Sequence, residues 1–309
     1  MAVDVRGMKV LITGGAGFIG SHTARALLRA GATVVVVDNL STGSRANVPP
    51  GVRCYDLNIA DERFGETLER ERPGIIYHFA FYVLVPKSVN DPLLDVDAIV
   101  GSIRLLQKAK EIGVQKIVFA SSGFLYGNAA PLPVAETCPI DPVSPYVVAK
   151  QAIEGYLRFY HRTYGVPSVV LRYSAVYGPG QRTGAMADYI RRLSSGGQAE
   201  IWGNGTKTRD YVHIDDVVNA NLLALTVPHD HPAPIYNIGT GVETTLNDLY
   251  GRIAVLLGVP AEPVYHPDRP GEQMRYCLDH SKAARELGWT PQRSLGAGLR
   301  DTVQANRVR

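Results

Sequence analysis

The segment Thr13-Gly14-Gly15-Ala16-Gly17-Phe18-Ile19-Gly20 constrains this chain more than any other. It follows a short apolar run at residues 8–13 (MKVLIT) and opens a helical pattern that continues through Leu28. Glycines at 14, 17 and 20 make a strand-to-helix turn whose backbone is free of Cβ atoms. A diphosphate can approach such a turn closely and meet the unpaired N–H groups and positive dipole end of the helix. The next apolar run, Thr33 to Val37, ends at Asp38, 18 residues after Gly20. A carboxylate there bonds the adenosine ribose hydroxyls of a dinucleotide and repels a 2′-phosphate, which predicts NAD and not NADP. Arg45, just downstream, reads as a solvated loop residue.

Further short apolar runs lie at 52–55, 74–78, 116–120 and 166–172. Between the runs, segments 20–30, 61–72, 92–112 and 146–164 have helical period. Strands alternating with helices imply right-handed βαβ units and a parallel sheet covered on both faces. The fold class is therefore α/β: a doubly wound parallel sheet of Rossmann type, followed by a smaller C-terminal α/β substrate-binding domain. The rhythm changes near residue 172, with helical patterns at 185–196, 244–257 and 281–287 and a strand at 235–239. At ~150 residues per domain, 309 residues suggest one large or two ordinary domains. The expected boundaries are 1–171 for the NAD-binding domain, with about 212–240 returning to it, and 172–309 for the substrate domain. No flexible linker separates them, so a cleft between the two is the expected ligand site.

Composition removes other classes. The 32 basic and 29 acidic residues leave a net charge of +3, with no clustered basic stripe for nucleic acid. No apolar run approaches the ~18 residues of a membrane helix. No signal peptide is legible before Met8. Cys54, Cys138 and Cys277 are odd in number and widely spaced, which fits neither a disulfide framework nor a zinc site and predicts reduced thiols in a cytoplasmic protein without a metal.

The second chemical constellation is Tyr146-Val147-Val148-Ala149-Lys150, behind Pro145 at a helix start. At i and i+4 the phenol and the ammonium share one helix face. A neighbouring cation lowers a tyrosine pKa and makes it a usable base. Ser121-Ser122 lie about 25 residues earlier, at the end of the 116–120 strand, where α/β sites form. Asp56-Leu57 follow the third strand; Asp56 either bonds an adenine amine or caps the helix beginning near Asp61.

These motifs, with VYGPGQR (176–182), GTKTRDYVHIDDV (205–217), DRPGE (268–272) and SKAARELGW (281–289), resemble the NAD-dependent epimerase/dehydratase family, the extended short-chain dehydrogenases acting on nucleotide sugars. The resemblance covers nearly the whole chain. It implies that Tyr146 removes the proton of a sugar 4-hydroxyl, that Lys150 holds the nicotinamide ribose, and that Ser121 or Ser122 bridges hydroxyl and Tyr146. It implies cofactor contacts from Gly14, Gly17, Phe18, Ile19, Gly20, Asp38, Asn39, Asp56, Leu57 and Ala80 as well as Tyr146 and Lys150. Arg209 and Arg269 resemble the family's diphosphate-binding arginines, and Arg182 belongs to the same expectation. Trp202 either cradles a uracil or packs in the core. Tyr276 matches the position that controls room for a C2 N-acetyl group.

Gly123-Phe124 follow the serines, where the family's dehydratases carry Asp-Glu. That disfavours water elimination and leaves a UDP-sugar 4-epimerase with NAD. Within the family the chain resembles UDP-N-acetylglucosamine 4-epimerases of Pel-type exopolysaccharide clusters, which points to UDP-GlcNAc/UDP-GalNAc, with UDP-Glc/UDP-Gal as rival pair. Ala98 and Ala175 stand where many relatives carry Asn and are expected to leave extra space. The alternatives are another NAD-dependent nucleotide-sugar enzyme, such as a UDP-glucuronate epimerase, decarboxylase or reductase, and a non-catalytic NAD-binding regulator. Relatives dimerise through the helices at 92–112 and 146–164, so a homodimer is expected. Ile99, Ile103, Leu106, Ile153 and Leu157 serve either that interface or the domain's own core.

Overall fold

A computed structural model describes residues 4–81, 85–128, 131–231, 234–259, 262–269 and 273–307. In chain order the first elements are β1 (Lys9–Thr13), α1 (Phe18–Arg29), β2 (Thr33–Asp38), β3 (Arg53–Asp56), α2 (Arg63–Glu71), β4 (Ile75–His78), α3 (Val85–Asn90), α4 (Val96–Ile112), β5 (Lys116–Ser122), α5 (Pro145–Tyr164) and β6 (Ser168–Tyr173). There follow β7 (Ala175–Tyr177), α6 (Ala185–Ser194), β8 (Glu200–Trp202), β9 (Thr208–Arg209), β10 (Tyr211–His213), α7 (Ile214–Leu223), β11 (Ile235–Ile238), β12 (Thr244–Thr245), α8 (Leu246–Leu257), β13 (Val264–His266), α9 (Ser281–Leu287) and α10 (Leu295–Arg307).

The chain forms two compact units. The first comprises Met1–Leu125, Ser144–Arg172 and Val218–Tyr236; the second comprises Tyr126–Val143, Tyr173–Val217 and Asn237–Arg309. Residues 126–143 thus join the second unit despite preceding α5, and the segment returning to the first unit starts at Val218 rather than near 212.

Seven strands make one sheet in the order β11-β6-β5-β4-β1-β2-β3. The pairs β1–β2, β2–β3, β1–β4 and β4–β5 are parallel. The chain order reverses between β1 and β4, so the carboxyl ends of these two strands flank the switch point where ligands of doubly wound sheets bind. Strands β1, β2, β4 and β5 are almost wholly buried because helices cover both faces, and their β-branched runs suit that environment. Leu11, Val35, Ile76, Ile117 and Phe119 meet Phe64 and Leu68 of α2, Leu105 and Leu106 of α4, and Ile153 and Leu157 of α5 in one core. Each such side chain contributes about 1.5–3 kcal/mol on burial.

Of the residues left open between core and interface, Leu106, Ile153 and Leu157 are therefore core, with Ile99 packed against them. The exposed apolar faces carry other residues: Val96 and Val100 on α4, and Val148, Tyr156, Phe159 and Tyr164 on α5.

The second unit has its own core, in which Tyr177, Met186, Tyr189, Ile190, Ile201, Tyr211, Leu249, Tyr250, Ile253, Leu299 and Val303 pack together. Its sheets are two-stranded: β7–β10, β9–β12 and β8–β13. Thr245 caps α8 by accepting the N–H of Asp248 at 3.0 Å. Among the described residues, no helix is long and apolar enough to cross a membrane.

Candidate active site

The glycine turn leaves β1 at Thr13. Gly14 sits at φ +71°, and a Cβ there would stand 2.7 Å from the backbone nitrogen of Ala80. A Cβ on Gly20 would stand 2.2 Å from the Gly14 carbonyl oxygen. Only glycine lets the turn, the first turn of α1 and the 79–80 segment close together this way. That first turn has neither an acidic residue nor a side-chain cap, so its leading N–H groups suit an anion. The cradle fits the diphosphate of a dinucleotide.

Asp38 ends β2 next to Asp56 of β3. Its carboxylate accepts the N–H of Ala16 at 2.9 Å and that of Leu40 at 2.8 Å. Burial is the largest influence on Asp38 and raises its pKa; these backbone donors oppose it. A carboxylate offers about four lone-pair sites, so Asp38 can order the loop and still accept a ribose hydroxyl. Asn39 turns its side chain to the N–H of Ser41 at 3.1 Å. Asp56 is exposed and Leu57 buried. The turn into α2 is made by Asn58 and Asp61, which accept the N–H groups of Ala60 and Arg63 at 3.0 and 2.9 Å. Arg45 donates to the Cys54 carbonyl at 3.3 Å.

Ala80 is set by a buried polar chain. Thr13 Oγ1 accepts the N–H groups of Phe79 and Ala80, each at 3.2 Å. It bonds His78 Nδ1 at 2.8 Å, and His78 Nε2 bonds Ser102 Oγ at 2.8 Å. The Ser102 hydroxyl already donates to the Ala98 carbonyl at 2.6 Å, so Nε2 carries the proton and Nδ1 accepts from Thr13. Burial, with the Lys150 charge adding to it, pushes the imidazole down to about 3 and keeps it neutral. Composition gave no hint of this role for His78, Thr13 and Ser102; the signal was a histidine ending a fully buried strand.

Tyr146 lies in the first turn of α5, with Lys150 one turn on; both are buried. The Ser122 hydroxyl stands near the Tyr146 phenol and opposes the rise of its pKa. Ser122 Oγ also accepts the N–H of Phe124 at 3.1 Å. Ser121 instead donates to Glu154 at 2.5 Å. The ammonium of Lys150 donates to the Ala120 carbonyl at 2.6 Å and lies 4.0 Å over the Phe81 ring. It is 5.9 Å from the Tyr146 ring centre. The expected lowering of the Tyr146 pKa by Lys150 is not what this arrangement gives. Burial pushes the phenol up to about 12, the Ser122 hydroxyl opposes this, and the Asp95 charge adds to it. Lys150 is itself pulled down to about 7 by burial, against the charges of Glu154 and Asp95. Glu154 and Asp95 were missed by sequence reasoning; Glu154 lies four residues after Lys150, the same spacing that singled out the pair.

The second unit holds the other expected residues. Arg209 on β9 donates to the carbonyls of Thr208 and Gln273, at 2.7 and 3.0 Å. The same strap, 273–278, carries Tyr276, whose N–H donates to Thr208 Oγ1 at 3.3 Å. The Tyr276 hydroxyl donates to the Tyr173 carbonyl at 3.0 Å and its ring is buried. Asp210 ties this region together by accepting from Thr240, Gly241 and Leu278. Trp202 is half-buried; the His266 ring stacks on it at 4.7 Å and the Arg269 guanidinium lies 3.7 Å over it. Arg182 is exposed in the loop before α6.

Ala98 is part of the core beneath the sheet, and Ala175 packs against the second unit's core.

A family model described as the NAD dependent epimerase/dehydratase family matches residues 10–239. The UDP-glucose 4-epimerase of Mycolicibacterium smegmatis is 38% identical over 311 residues, covering 96% of this chain and 98% of that protein. The crystal structure of the Thermotoga maritima UDP-glucose 4-epimerase with UDP-glucose superposes with a TM-score of 0.93 at 40% identity, covering 97% of this chain and 99% of that one. A UDP-N-acetylglucosamine 4-epimerase of Methanobrevibacter ruminantium gives 0.90 at 29% identity, over 97% and 98% of the two chains. A dTDP-glucose 4,6-dehydratase of Streptomyces venezuelae gives 0.91 at 35% identity, over 98% of each. With that sequence match, those relatives and the glycine cradle and Tyr146–Lys150 pair in place, the chain belongs to the NAD-dependent epimerase/dehydratase family.

Proposed function

We propose that this chain is a UDP-hexose 4-epimerase that keeps NAD bound and inverts C4 through a 4-keto sugar. The observation that carries this is the Ser122 hydroxyl beside the buried Tyr146 phenol at the end of β5, followed directly by Gly123-Phe124. A hydroxyl pair placed to exchange one proton with a sugar 4-hydroxyl is present, and neither following residue is an acid or base for expelling water. The likeness to a dehydratase therefore does not extend to the chemistry that distinguishes one.

Bound NAD supplies a hydride acceptor and donor for C4. The Gly14–Gly20 turn, with Phe18 and Ile19 at the start of α1, would hold the dinucleotide's diphosphate, and Asp38 with Asn39 would take the adenosine ribose. Asp56, Leu57 and Ala80 line the remaining edge. As the phenolate, which the Lys150 ammonium favours once it turns from the Ala120 carbonyl, Tyr146 takes the 4-hydroxyl proton and returns it after the sugar has turned over, with Ser122 holding the oxygen during both transfers. Lys150 leaves the Ala120 carbonyl to hold the nicotinamide ribose. Arg209 and Arg269 grip the UDP diphosphate with guanidinium forks, Arg182 adds charge, and Trp202 packs on the uracil. Anchoring by the diphosphate leaves the hexose free to present its other face.

For the sugar, the relatives' names support the UDP-glucose/UDP-galactose pair, and so does Tyr276, whose ring is held by the Tyr173 carbonyl where a C2 N-acetyl group needs room. The UDP-GlcNAc/UDP-GalNAc pair is the second reading, supported by the likeness to the M. ruminantium enzyme. The chain is also proposed to dimerise through the exposed apolar faces of α4 and α5. The test is to incubate the purified protein with each of the four UDP-sugars and no added cofactor. Conversion to the C4 epimer supports the proposal. Stoichiometric NADH release, carbon dioxide from UDP-glucuronate, or a keto sugar as main product overturns it.

A further inference from the structure

The carboxyl end of β5 is held against α5 by two consecutive residues: the Ala120 carbonyl takes Lys150 at 2.6 Å, and the Ser121 hydroxyl donates to Glu154 at 2.5 Å. The next residue, Ser122, has its hydroxyl near the Tyr146 phenol. Residues 146, 150 and 154 follow one another at single turns along one helix face. Glu154 is held in turn by Arg172 of β6, the neighbour of β5 in the sheet. Arg172 Nε donates to one carboxylate oxygen at 3.0 Å and an Nη to the other at 2.6 Å. The two side chains are 3% and 1% exposed. A two-point fork fixes the plane of the carboxylate as well as its place. Such a buried pair contributes little net stability over well-packed apolar residues, so its use here points to a positional purpose.

We propose that Glu154 is a positioning residue for the reaction: it draws Ser121 out of the reacting set so that Ser122 alone faces Tyr146, and it sets a fixed negative charge one turn behind the Lys150 ammonium. This rests on the roles of Tyr146, Lys150 and Ser122 given above.

The surroundings of Lys150 define what that charge does. Phe81 and Phe119 lie 4.0 and 4.7 Å from the ammonium and offer ring faces only. His78 faces it from β4 and is neutral. Asp95 acts on it from the turn preceding α4, with its carboxylate taking the Ser88 hydroxyl at 2.5 Å. Tyr146 and Glu154 face it from α5 itself, and Glu154 outweighs Asp95 in favouring the charged form. Without Glu154 the Lys150 ammonium would lose the larger of the two charges that favour it. An ammonium so placed deprotonates at lower pH, and activity that needs it charged is lost earlier as pH rises.

The experiment is Glu154→Gln, read first on the protein without cofactor. The Lys150 Cε resonance, from 13C-lysine labelling and assigned with Lys150→Met, is titrated by NMR. The expected result is a midpoint lower than that of the unaltered protein by about one pH unit or more. With NAD and UDP-sugar, the alkaline limb of kcat should move down by the same amount, with KM changed less than about two-fold. An unmoved midpoint, or kcat falling only in step with thermal stability, overturns the proposal. If Glu154→Gln does not fold, Arg172→Lys keeps the charge but loosens the grip: the Lys150 midpoint should hold while kcat falls, and full kcat overturns the proposal. An unaltered protein inactive on every UDP-sugar would overturn the proposed function and leave the NMR result standing.

Discussion

The Ser121 hydroxyl donates to Glu154 at 2.5 Å, whereas the hydroxyl of its neighbour Ser122 stands near the Tyr146 phenol. The two serines that sequence could not separate therefore have different neighbours. Ser122→Ala should lower kcat by about 10²-fold or more, because it removes the group that shares the proton with Tyr146. Ser121→Ala should cost less than about ten-fold. Steady-state kinetics on the two variants checks the order; equal losses would contradict it.

Tyr146→Phe should reduce kcat by at least about 10³-fold while NAD stays bound. Retention of the dinucleotide through purification, followed by absorbance after denaturation, separates loss of chemistry from loss of cofactor.

His78 is neutral in the fold, with its pKa pushed down to about 3 by burial. An unfolded histidine titrates near ~6.5. The unfolded chain thus binds more protons over this window, so the stabilising contribution is fully present above ~6.5 and is lost as pH falls toward the folded value. The expected slope is about 1.4 kcal/mol per pH unit for this group. Between pH 7 and 5, urea midpoints of the unaltered protein should fall more steeply than those of His78→Asn. Parallel slopes would exclude the buried neutral histidine.

Tyr276→Ser should shift the kcat/KM ratio toward N-acetylated UDP-hexoses by about ten-fold or more, since a volume fixed by the Tyr173 carbonyl is freed. The loss of a buried, hydrogen-bonded ring should cost about 3 kcal/mol of stability. Competition assays with both sugar pairs and a denaturant titration read the two effects separately.

Phe159→Glu together with Tyr156→Glu places two charges on the exposed apolar face of α5. Light scattering after size exclusion should show the mass of two chains for the unaltered protein and of one for the variant. A monomeric parent would remove the proposed interface.

Much of the first unit was legible because its signals are local. The glycine turn, Asp38 and the one-turn spacing of Tyr146 and Lys150 each follow from backbone geometry alone. The same spacing reaches Glu154, yet a glutamate there reads as an ordinary exposed helix residue until Arg172 is brought to it from β6. Helix α7 was not legible because apolar residues surround it and leave no stripe, while α10 carries Gly296 and Gly298 within it. The two- and three-residue strands β7 to β10, β12 and β13 depend on partners far along the chain, and no periodicity of that length announces them. The Lys150–Tyr146 electrostatics went the other way from expectation because burial, which sequence does not reveal, outweighs a cation turned toward Ala120.

Hydride removal and return at one carbon leaves an isotopic trace. UDP-galactose deuterated at C4 should give UDP-glucose with the deuterium still at C4, undiluted by solvent hydrogen and with no change in free NADH. Deuterium recovered at C6 or lost to water would contradict the account.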